Sequence, residues 1–341
     1  MPNLTEDMIA DLVASTHPDE SSVIEQMAME FTEYHVLPIW FQNFKDVVTS
    51  GRSIQKTVMY QAAEARFVSL NSLTEYNIVD HLKNMEIPWR RAQVEWQMHV
   101  EEALMNASPA QITDMLGARR DGARIGMADK LERAAWSAPT SSSDDLTPWG
   151  VKYWITQSAT EGFNGGAATG FTTKGGIDPA INEKMKNWTF QYANPTKEDL
   201  IKRIRKAMFK TSFKNPINLQ EFRGNKGRDF RIYAGYDTVA SVESIGEGQN
   251  ENLGRDVASM DGVTTIRGCG LYAVDVLEED TNSPIYGINH RVFKPAVLKG
   301  AWMRESKPES VPYQPDWKQV RTNCTFNFVC LNPGRCFVGY V

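Results

Sequence analysis

The amino-acid sequence predicts an α+β protein, and three features of its patterning support that prediction. Apolar and polar residues alternate along two runs in the first hundred positions, as they do in strands with one covered face. A long amphipathic helix is predicted over residues 111–136. Beyond about residue 228 the chain shows mostly strand and turn patterns, without the regular strand–helix alternation of a parallel sheet.

The composition is that of a globular chain with a hydrophobic core. Hydrophobic residues make up 41% of the 341 positions, enough for one elaborate domain or two ordinary ones. No apolar run approaches the ~18 residues that span a bilayer, and acids occupy the amino terminus where a signal peptide carries Lys or Arg. We therefore expect synthesis in the cytoplasm and no membrane partner.

Charge is distributed unevenly along the chain, whose net charge is -5. Residues 1–46 hold nine acids against the single Lys45, whereas residues 196–231 hold eleven Lys or Arg against four acids. Two segments of opposite sign favour contacts with other copies or with a charged partner, although two solvated faces would look the same. The negative total argues against tight binding of DNA through its phosphates.

The first 100 residues predict two short helices followed by a projecting arm. Thr5 is placed to cap the first helix, and both helices are too short to be stable alone. From Gly51 the pattern alternates, with one apolar set and one more polar set, and a second alternating run follows at Val94–Val100. Some thirty residues between the runs are mostly polar. We expect a two-stranded hairpin without a core of its own, with Ile54, Val58 and Tyr60 on one face and Gln55, Thr57 and Met59 on the other.

The strongest helical pattern begins at Gln111 and ends at Trp136, a length of ~39 Å at 1.5 Å per residue. Gly122 and Gly126 lower its helix propensity, so we expect a neighbouring backbone to pack closely there. Residues 158–176 are rich in Gly and Ala and predict a flexible loop.

Thr196 and Asp199 form a capping pattern that opens another helix, with a basic face that includes Lys202, Arg203 and Lys206. The strands predicted after it are Arg231–Ala234, Thr264–Leu277, Val292–Leu298 and Thr322–Leu331.

None of the common catalytic or binding motifs is convincing. Gly246 and Gly248 lack the third glycine and the following helix of a dinucleotide site, and Lys174 precedes Gly175 where a phosphate loop needs the reverse order. The five histidines are scattered, and the spacing of Cys324, Cys330 and Cys336 matches no usual zinc site. We expect no catalytic residue, cofactor or metal. An enzyme with a site assembled from His290, Asp275 and Glu243 remains an alternative.

The order and spacing of several short segments resemble the tailed-phage major capsid protein family, which has the Hong Kong 97 type fold shared with encapsulins and the herpesvirus capsid floor. The resemblance covers residues 47 to 341. Its segments are Gly51–Tyr60, Pro88–Trp89, Gln93–Val100, Glu101–Glu102, Asn106, Ile112–Leu116, Leu131–Glu132, Trp136, Gly175–Ile177, Asn250–Gly254, Arg267–Gly268 and Ile285–Asn289.

The resemblance implies five parts of the subunit. Residues 1–50 would be an amino-terminal arm, although the acidic first 46 residues could instead be a remnant of internal scaffolding sequence. Residues 51–100 would be an extended hairpin loop lying across a neighbour, and 101–154 a peripheral domain with a spine helix. Residues 155–285 would form the axial domain, and 286–341 would supply return strands to both domains. The hairpin then supplies the candidate inter-subunit contacts, which are Arg52, Ile54, Lys56, Val58, Tyr60, Arg66, Trp89 and Trp96.

The implied function is that of a major capsid protein, a structural virion protein that self-assembles from hexamers and pentamers into an icosahedral shell around double-stranded DNA. Portal protein, and scaffold or decoration proteins, would be its partners. Lys202, Arg203 and Lys206 are weak candidates for facing that DNA without reading its sequence. An encapsulin-like compartment shell is the alternative within the same fold. Some family members join subunits through a lysine–asparagine bond, but Lys56 has no recognisable partner here.

Overall fold

A computed structural model describes residues 29–59, 67, 81–105, 115–213, 229–250 and 264–341. Contacts divide the chain into two units. The first comprises residues 1–32, 91–131 and 300–325, and the second comprises 33–90, 132–299 and 326–341. The short predicted helices before residue 29, and the first four residues of the predicted long helix, lie outside the described residues. No described helix is long and apolar enough to cross a membrane.

Helices and strands alternate irregularly along the chain. The helices are α1 (Phe41–Asn43), α2 (Val100–Met105), α3 (Met115–Trp136), α4 (Val151–Trp154), α5 (Lys202–Lys210), α6 (Tyr236–Asn250) and α7 (Asp275–Glu278). Single π-helical turns, Val36–Trp40 and Lys197–Ile201, precede α1 and α5, and 3₁₀ turns occur at Glu183–Met185 and Pro333–Arg335. The strands are β1 (Asp46–Val48), β2 (Ser53–Met59), β3 (Leu82–Pro88), β4 (Arg90–His99), β5 (Gly162–Gly165), β6 (Asn187–Gln191), β7 (Phe230–Ala234), β8 (Thr265–Ile266), β9 (Cys269–Ala273), β10 (Ile285–Asn289), β11 (Phe293–Leu298), β12 (Arg304–Glu305), β13 (Glu309–Val311), β14 (Gln314–Cys330) and β15 (Phe337–Tyr340).

The first unit contains strands β4, β12 and β13, which all pair with the long strand β14. Ion pairs connect its helix α3 with two other elements of the unit. Arg119 donates to the buried carboxylate of Glu102 at 2.8 Å, and Arg120 makes a two-pronged contact with Glu305 at 2.6 and 2.9 Å. Paired N–H groups of this kind fix orientation as well as distance.

The second unit is built on a seven-stranded mixed sheet in the order β5-β6-β15-β10-β7-β9-β8. Helix α5 covers this sheet because its apolar residues recur every three or four positions. Leu200, Ile204 and Met208 lie in the same buried cluster as Phe190 and Phe337 of the sheet. Thr196 caps the helical segment as predicted, since its hydroxyl accepts from the Asp199 N–H at 3.3 Å.

A second core of the same unit is aromatic. Trp40 packs against Trp136 and Phe293 with ring centroids 5.2 and 5.4 Å apart, and its indole N–H donates to the Tyr233 hydroxyl at 2.9 Å. The carboxylate of Glu132 accepts from the backbone N–H of Val36 at 2.8 Å. The segment that leads into α1 is therefore fixed to the end of α3 by hydrogen bonds as well as by packing.

Two sequence predictions about local structure are wrong, and a third is incomplete. The second alternating run, β4, does not complete the hairpin; β2 pairs with β3 from Ser53 opposite Pro88 to Met59 opposite Leu82, whereas β4 pairs with β14. The chain after residue 228 is mostly strand and turn, as predicted, but it also contains the 15-residue helix α6, which the sequence pattern does not predict. A Cβ added at Gly122 or Gly126 would meet nothing within 4 Å, so no backbone among the described residues packs against either glycine.

Candidate assembly surfaces

The hairpin formed by β2 and β3 is attached at its base to neighbouring strands of its own unit. Lys56 forms an ion pair with Asp46 of β1, with Nζ and Oδ2 2.5 Å apart. The Trp89 indole N–H donates to the Gly51 carbonyl at 3.0 Å, across the open end of the hairpin. These two contacts determine where the hairpin leaves the body of the unit.

A tight turn at residues 174–177 supports strand β3. The Glu86 N–H donates to the Gly175 carbonyl at 3.1 Å. Gly175 has a φ of 58°, and a Cβ there would approach the Met85 methyl group to 2.9 Å, so both its conformation and its surroundings favour glycine. From the other side, the Asn327 amide donates to the Pro88 carbonyl at 2.7 Å.

The inner face of the hairpin is covered by its own chain. Ile54, Met85 and Ile87 are completely buried, and Lys56 and Val58 are partly buried. The assignment of Ile54 to an inter-subunit contact is therefore wrong, because this side chain has no surface left for a neighbour. The alternation predicted for β2 is confirmed, but its most apolar face belongs to the subunit core.

The outer face of the hairpin is exposed and ends in an apolar pair. The Thr57 hydroxyl donates to the side-chain oxygen Oδ1 of Asn84 at 2.8 Å, so the middle of this face is polar. One step further out, Met59 and Leu82 are directly opposite each other, with 72% and 55% of their surfaces exposed. Within the described residues, no third strand pairs with either edge of the hairpin.

The other proposed contact residues have different environments. Arg52 is exposed, and Trp89 is half-buried at the hairpin base. Trp96 is not on the hairpin but on β4, and its buried indole N–H has no hydrogen-bond partner among the described residues. Tyr60 and Arg66 lie outside the described residues.

The three candidates for facing DNA are on helix α5, and two of them are already paired with acids. Arg203 contacts Asp199 at 2.5 Å and Glu161 at 3.5 Å, and Lys206 contacts Glu161 at 2.7 Å. Lys202 is exposed and forms no ion pair in the part of the chain that the structure describes. The positive charge predicted for this face is therefore reduced, although not removed.

Of the three residues that invited a catalytic interpretation, only His290 is enclosed in the core, whereas Asp275 is half-buried and Glu243 is exposed. His290 is completely buried, stacked on Phe44 at 4.5 Å and 2.9 Å from the Tyr233 hydroxyl, and burial lowers its pKa to about 3. A general base needs access to a substrate proton, which this imidazole lacks. Glu243, the acid proposed beside it, accepts instead from the Thr264 hydroxyl at 3.0 Å.

Two further site types can be checked in the same way. Lys174 is completely buried, so it offers no phosphate site. Among the described residues, no group of three or more His, Cys, Asp or Glu side chains is placed to hold a metal ion.

Solved structures similar to this chain come from protein shells. The capsid of a native GTA particle superposes with a TM-score of 0.62 over 99% of both chains, at 10% sequence identity. The capsid of cyanophage A-1(L) gives 0.60 over 94% of this chain and 96% of the other, at 11% identity. The chain has the Hong Kong 97 type capsid fold. No family model and no curated protein sequence match it.

The capsid fold also occurs in a cellular compartment. An encapsulin complex from Synechococcus elongatus matches 99% of this chain and 96% of its own, with a TM-score of 0.53 and 10% identity. The predicted α+β class and the predicted capsid fold are both confirmed. At such low identity the likeness concerns the fold, and the contents of any shell have to be argued separately.

Proposed function

We propose that this chain is the major capsid protein of a tailed bacteriophage, which self-assembles from hexamers and pentamers into an icosahedral shell. The observation that carries the proposal is the match to the native GTA capsid subunit, which extends over 99% of both chains. Because neither chain has a further domain outside the superposed region, the match favours a similar function for the whole chain. The protein would act in the virion, together with a portal and with scaffold or decoration proteins.

The hairpin supports this proposal from the residues upward. An isolated two-stranded sheet is marginally stable, and exposed strand edges attract further pairing. The outer apolar pair, Met59 and Leu82, is left exposed by the described residues of its own chain. Burying each of these side chains on a neighbour would contribute at most about 1.5–3 kcal/mol before ordering costs, and a shell repeats that contact in every copy.

The proposal is tested by negative-stain electron microscopy of the expressed protein, with the double variant Met59→Glu/Leu82→Glu. We expect closed particles from the wild type and only small oligomers from the variant, because charge on the outer face opposes burial against a neighbour. The matched control is Leu146→Glu/Ile181→Glu, which alters two exposed aliphatic side chains away from the hairpin. The control should form particles, and both variants should keep the circular dichroism and melting temperature of wild-type subunits.

Two results would contradict the proposal. A wild-type protein that stays monomeric across salt and protein concentration is not a shell subunit. Particles of normal number and heat resistance from the hairpin variant would mean that its outer face meets no neighbour.

An encapsulin-like shell is the second candidate, because the Synechococcus elongatus complex has the same fold. The contents of purified particles distinguish the two functions. Nuclease-protected, long double-stranded DNA supports a virus capsid, whereas an enclosed enzyme supports a compartment. Contact with the DNA would be weak and insensitive to sequence, because the chain is net negative and acids already pair with Arg203 and Lys206.

A further inference from the structure

Helix α5 presents an exposed basic stripe, most of whose cations form no ion pair among the described residues. We define the basic stripe as Lys202, Arg205, Lys206, Phe209 and Lys210, all of which are exposed. The first four follow the spacing i, i+3, i+4 and i+7, so they lie along one face, opposite the buried Ile204 and Met208. The stripe spans nine residues, or about 13 Å along the helix axis.

Two features of the basic stripe indicate a missing partner that is both acidic and apolar. Lys202, Arg205 and Lys210 form no ion pair among the residues that the structure describes, in contrast to Lys206. Phe209 is 72% exposed, an unusual position for a large aromatic side chain, and the Arg267 guanidinium lies 4.3 Å from its ring centre. Arg267 therefore adds another positive charge beside the aromatic ring.

The sequence contains a segment with the complementary chemistry. Residues 1–28 carry six acids and no Lys or Arg. Asp7 and Asp11 are four residues apart, as are Met8 and Leu12, so in a helix each pair would lie on one face. A helix from residue 5 to residue 13 would match the stripe in length, would set acids against its cations and would cover Phe209 with aliphatic side chains.

We propose that residues 4–13 of a second copy of this chain dock on the basic stripe. The inference rests on the proposed function, because a shell holds copies at a high local concentration, which a short and marginally stable helix needs in order to bind. Each copy then gives one amino-terminal segment and receives another, as a repeated contact between identical subunits requires.

Nucleic acid is a less suitable occupant for this surface. A duplex presents phosphates throughout, and the Glu161 carboxylate beside Lys206 and Arg203 opposes a continuous polyanion. Duplex DNA also offers no apolar face to Phe209. Residues 4–13 carry three acids, Glu6, Asp7 and Asp11, and three cations of the stripe form no ion pair with any residue that the structure describes.

The test is zero-length carbodiimide cross-linking of purified particles of the full chain, assembled from equal amounts of isotopically light and heavy protein. We expect amide bonds between Lys202, Lys206 or Lys210 and the acids at 6, 7 or 11, including light–heavy pairs. Lys202→Glu/Arg205→Glu should abolish them, and adding Asp7→Lys/Asp11→Lys should restore cross-links between the exchanged charges. The matched control, Lys184→Glu/Lys299→Glu, alters two exposed lysines elsewhere and should leave the cross-links unchanged.

The outcomes separate this inference from the proposed function. Particles without these cross-links, or with light–light and heavy–heavy pairs alone, overturn the docking of a second copy and leave the shell intact. Protection of Lys202 and Lys210 from amine acylation by a DNA duplex, with no cross-link to residues 4–13, identifies nucleic acid as the occupant and also overturns it. Light–heavy cross-links in small oligomers that never form particles support the contact and count against the shell.

Discussion

Lys174 provides a quantitative prediction about the pH dependence of stability. Its ammonium group is completely buried and donates to the carbonyls of Trp154 and Gly165 and to the Asn187 side-chain oxygen, at 2.9, 3.0 and 3.1 Å. Three acceptors match the three N–H groups of a lysine. They carry no full negative charge, however, so burial lowers the pKa of Lys174 from 10.5 to about 7.

The sign of the effect follows from proton binding. Between pH 7 and 10.5 the unfolded chain holds a proton on this lysine that the folded chain has released, so the free energy of unfolding rises with pH. With pKa values of 10.5 and about 7, integration from pH 7 to pH 9 gives a gain of ~2 kcal/mol. The pH range of this prediction ends at 9. Above it, tyrosines of the unfolded chain lose their protons near pH 10, whereas burial raises the pKa of Tyr153 to about 12, so the free energy of unfolding would begin to fall with pH.

The perturbation is Lys174→Met, and the assay is urea unfolding of dispersed subunits at pH 7, 8 and 9. We expect the wild type to gain ~2 kcal/mol over this range relative to the variant. The comparison uses the slope with pH, because the variant also loses three hydrogen bonds at every pH. Lys184→Met, on an exposed lysine, should keep the wild-type slope. An unchanged slope in Lys174→Met would refute the reasoning and mean that the buried amine keeps its proton or is hydrated.

Three further predictions concern buried and helical positions. Burial raises the pKa of Glu132 to about 7, so the free energy of unfolding falls by ~2 kcal/mol as pH rises from 5 to 7.5 and this carboxyl ionises in the folded state. Glu132→Gln should remove that fall in urea unfolding, and an unchanged pH profile would count against it. Asn327→Ala should cost ~2–4 kcal/mol in guanidinium unfolding and speed hydrogen exchange at the hairpin base, since the N–H of Trp149 and the carbonyl of Pro88 lose their partner; unchanged exchange would show that the hairpin is held elsewhere. Gly122→Ala should raise subunit stability by ~0.5–1 kcal/mol in thermal unfolding, because the new Cβ meets open space; stable subunits that fail to form particles would place a neighbouring copy against this glycine.

Elements determined by local periodicity were predictable from the sequence. Helix α3 and helix α5 with its Thr196 cap are found where the 3.6-residue pattern and the capping residues place them. The end of β14 is a strand as expected and has Cys324, Phe326 and Phe328 buried, but its residues 324–330 are all buried, so both of its faces are covered. In each case the signal lies within a few consecutive turns or residue pairs, so no knowledge of distant contacts is needed.

Strand pairing and the helix α6 were not predictable by the same reasoning. Strand β3 contains Lys83 and ends in Pro88, so its alternation of apolar and polar residues is weaker than that of β4. The hairpin partner of β2 is nevertheless β3, and β4 pairs with β14. Helix α6 contains Gly246 and Gly248 and several β-branched residues, all of which lower its helix propensity. Tertiary packing overrides propensity here, because Val239 and Val242 join the buried cluster beneath the seven-stranded sheet.

The assembly face of the hairpin shows why a candidate site needs more than a pattern. Alternation divides β2 into two faces, but both carry apolar side chains, and the sequence does not say which face the chain covers. The answer comes from residues far along the chain, since the turn at Gly175 and the side chain of Asn327 both bind the carboxyl-terminal end of β3, at Glu86 and Pro88. Ile54 is consequently enclosed, and Met59 and Leu82 are left as the exposed apolar pair. A contact with a neighbouring copy therefore has to involve the face that looked less hydrophobic in the sequence.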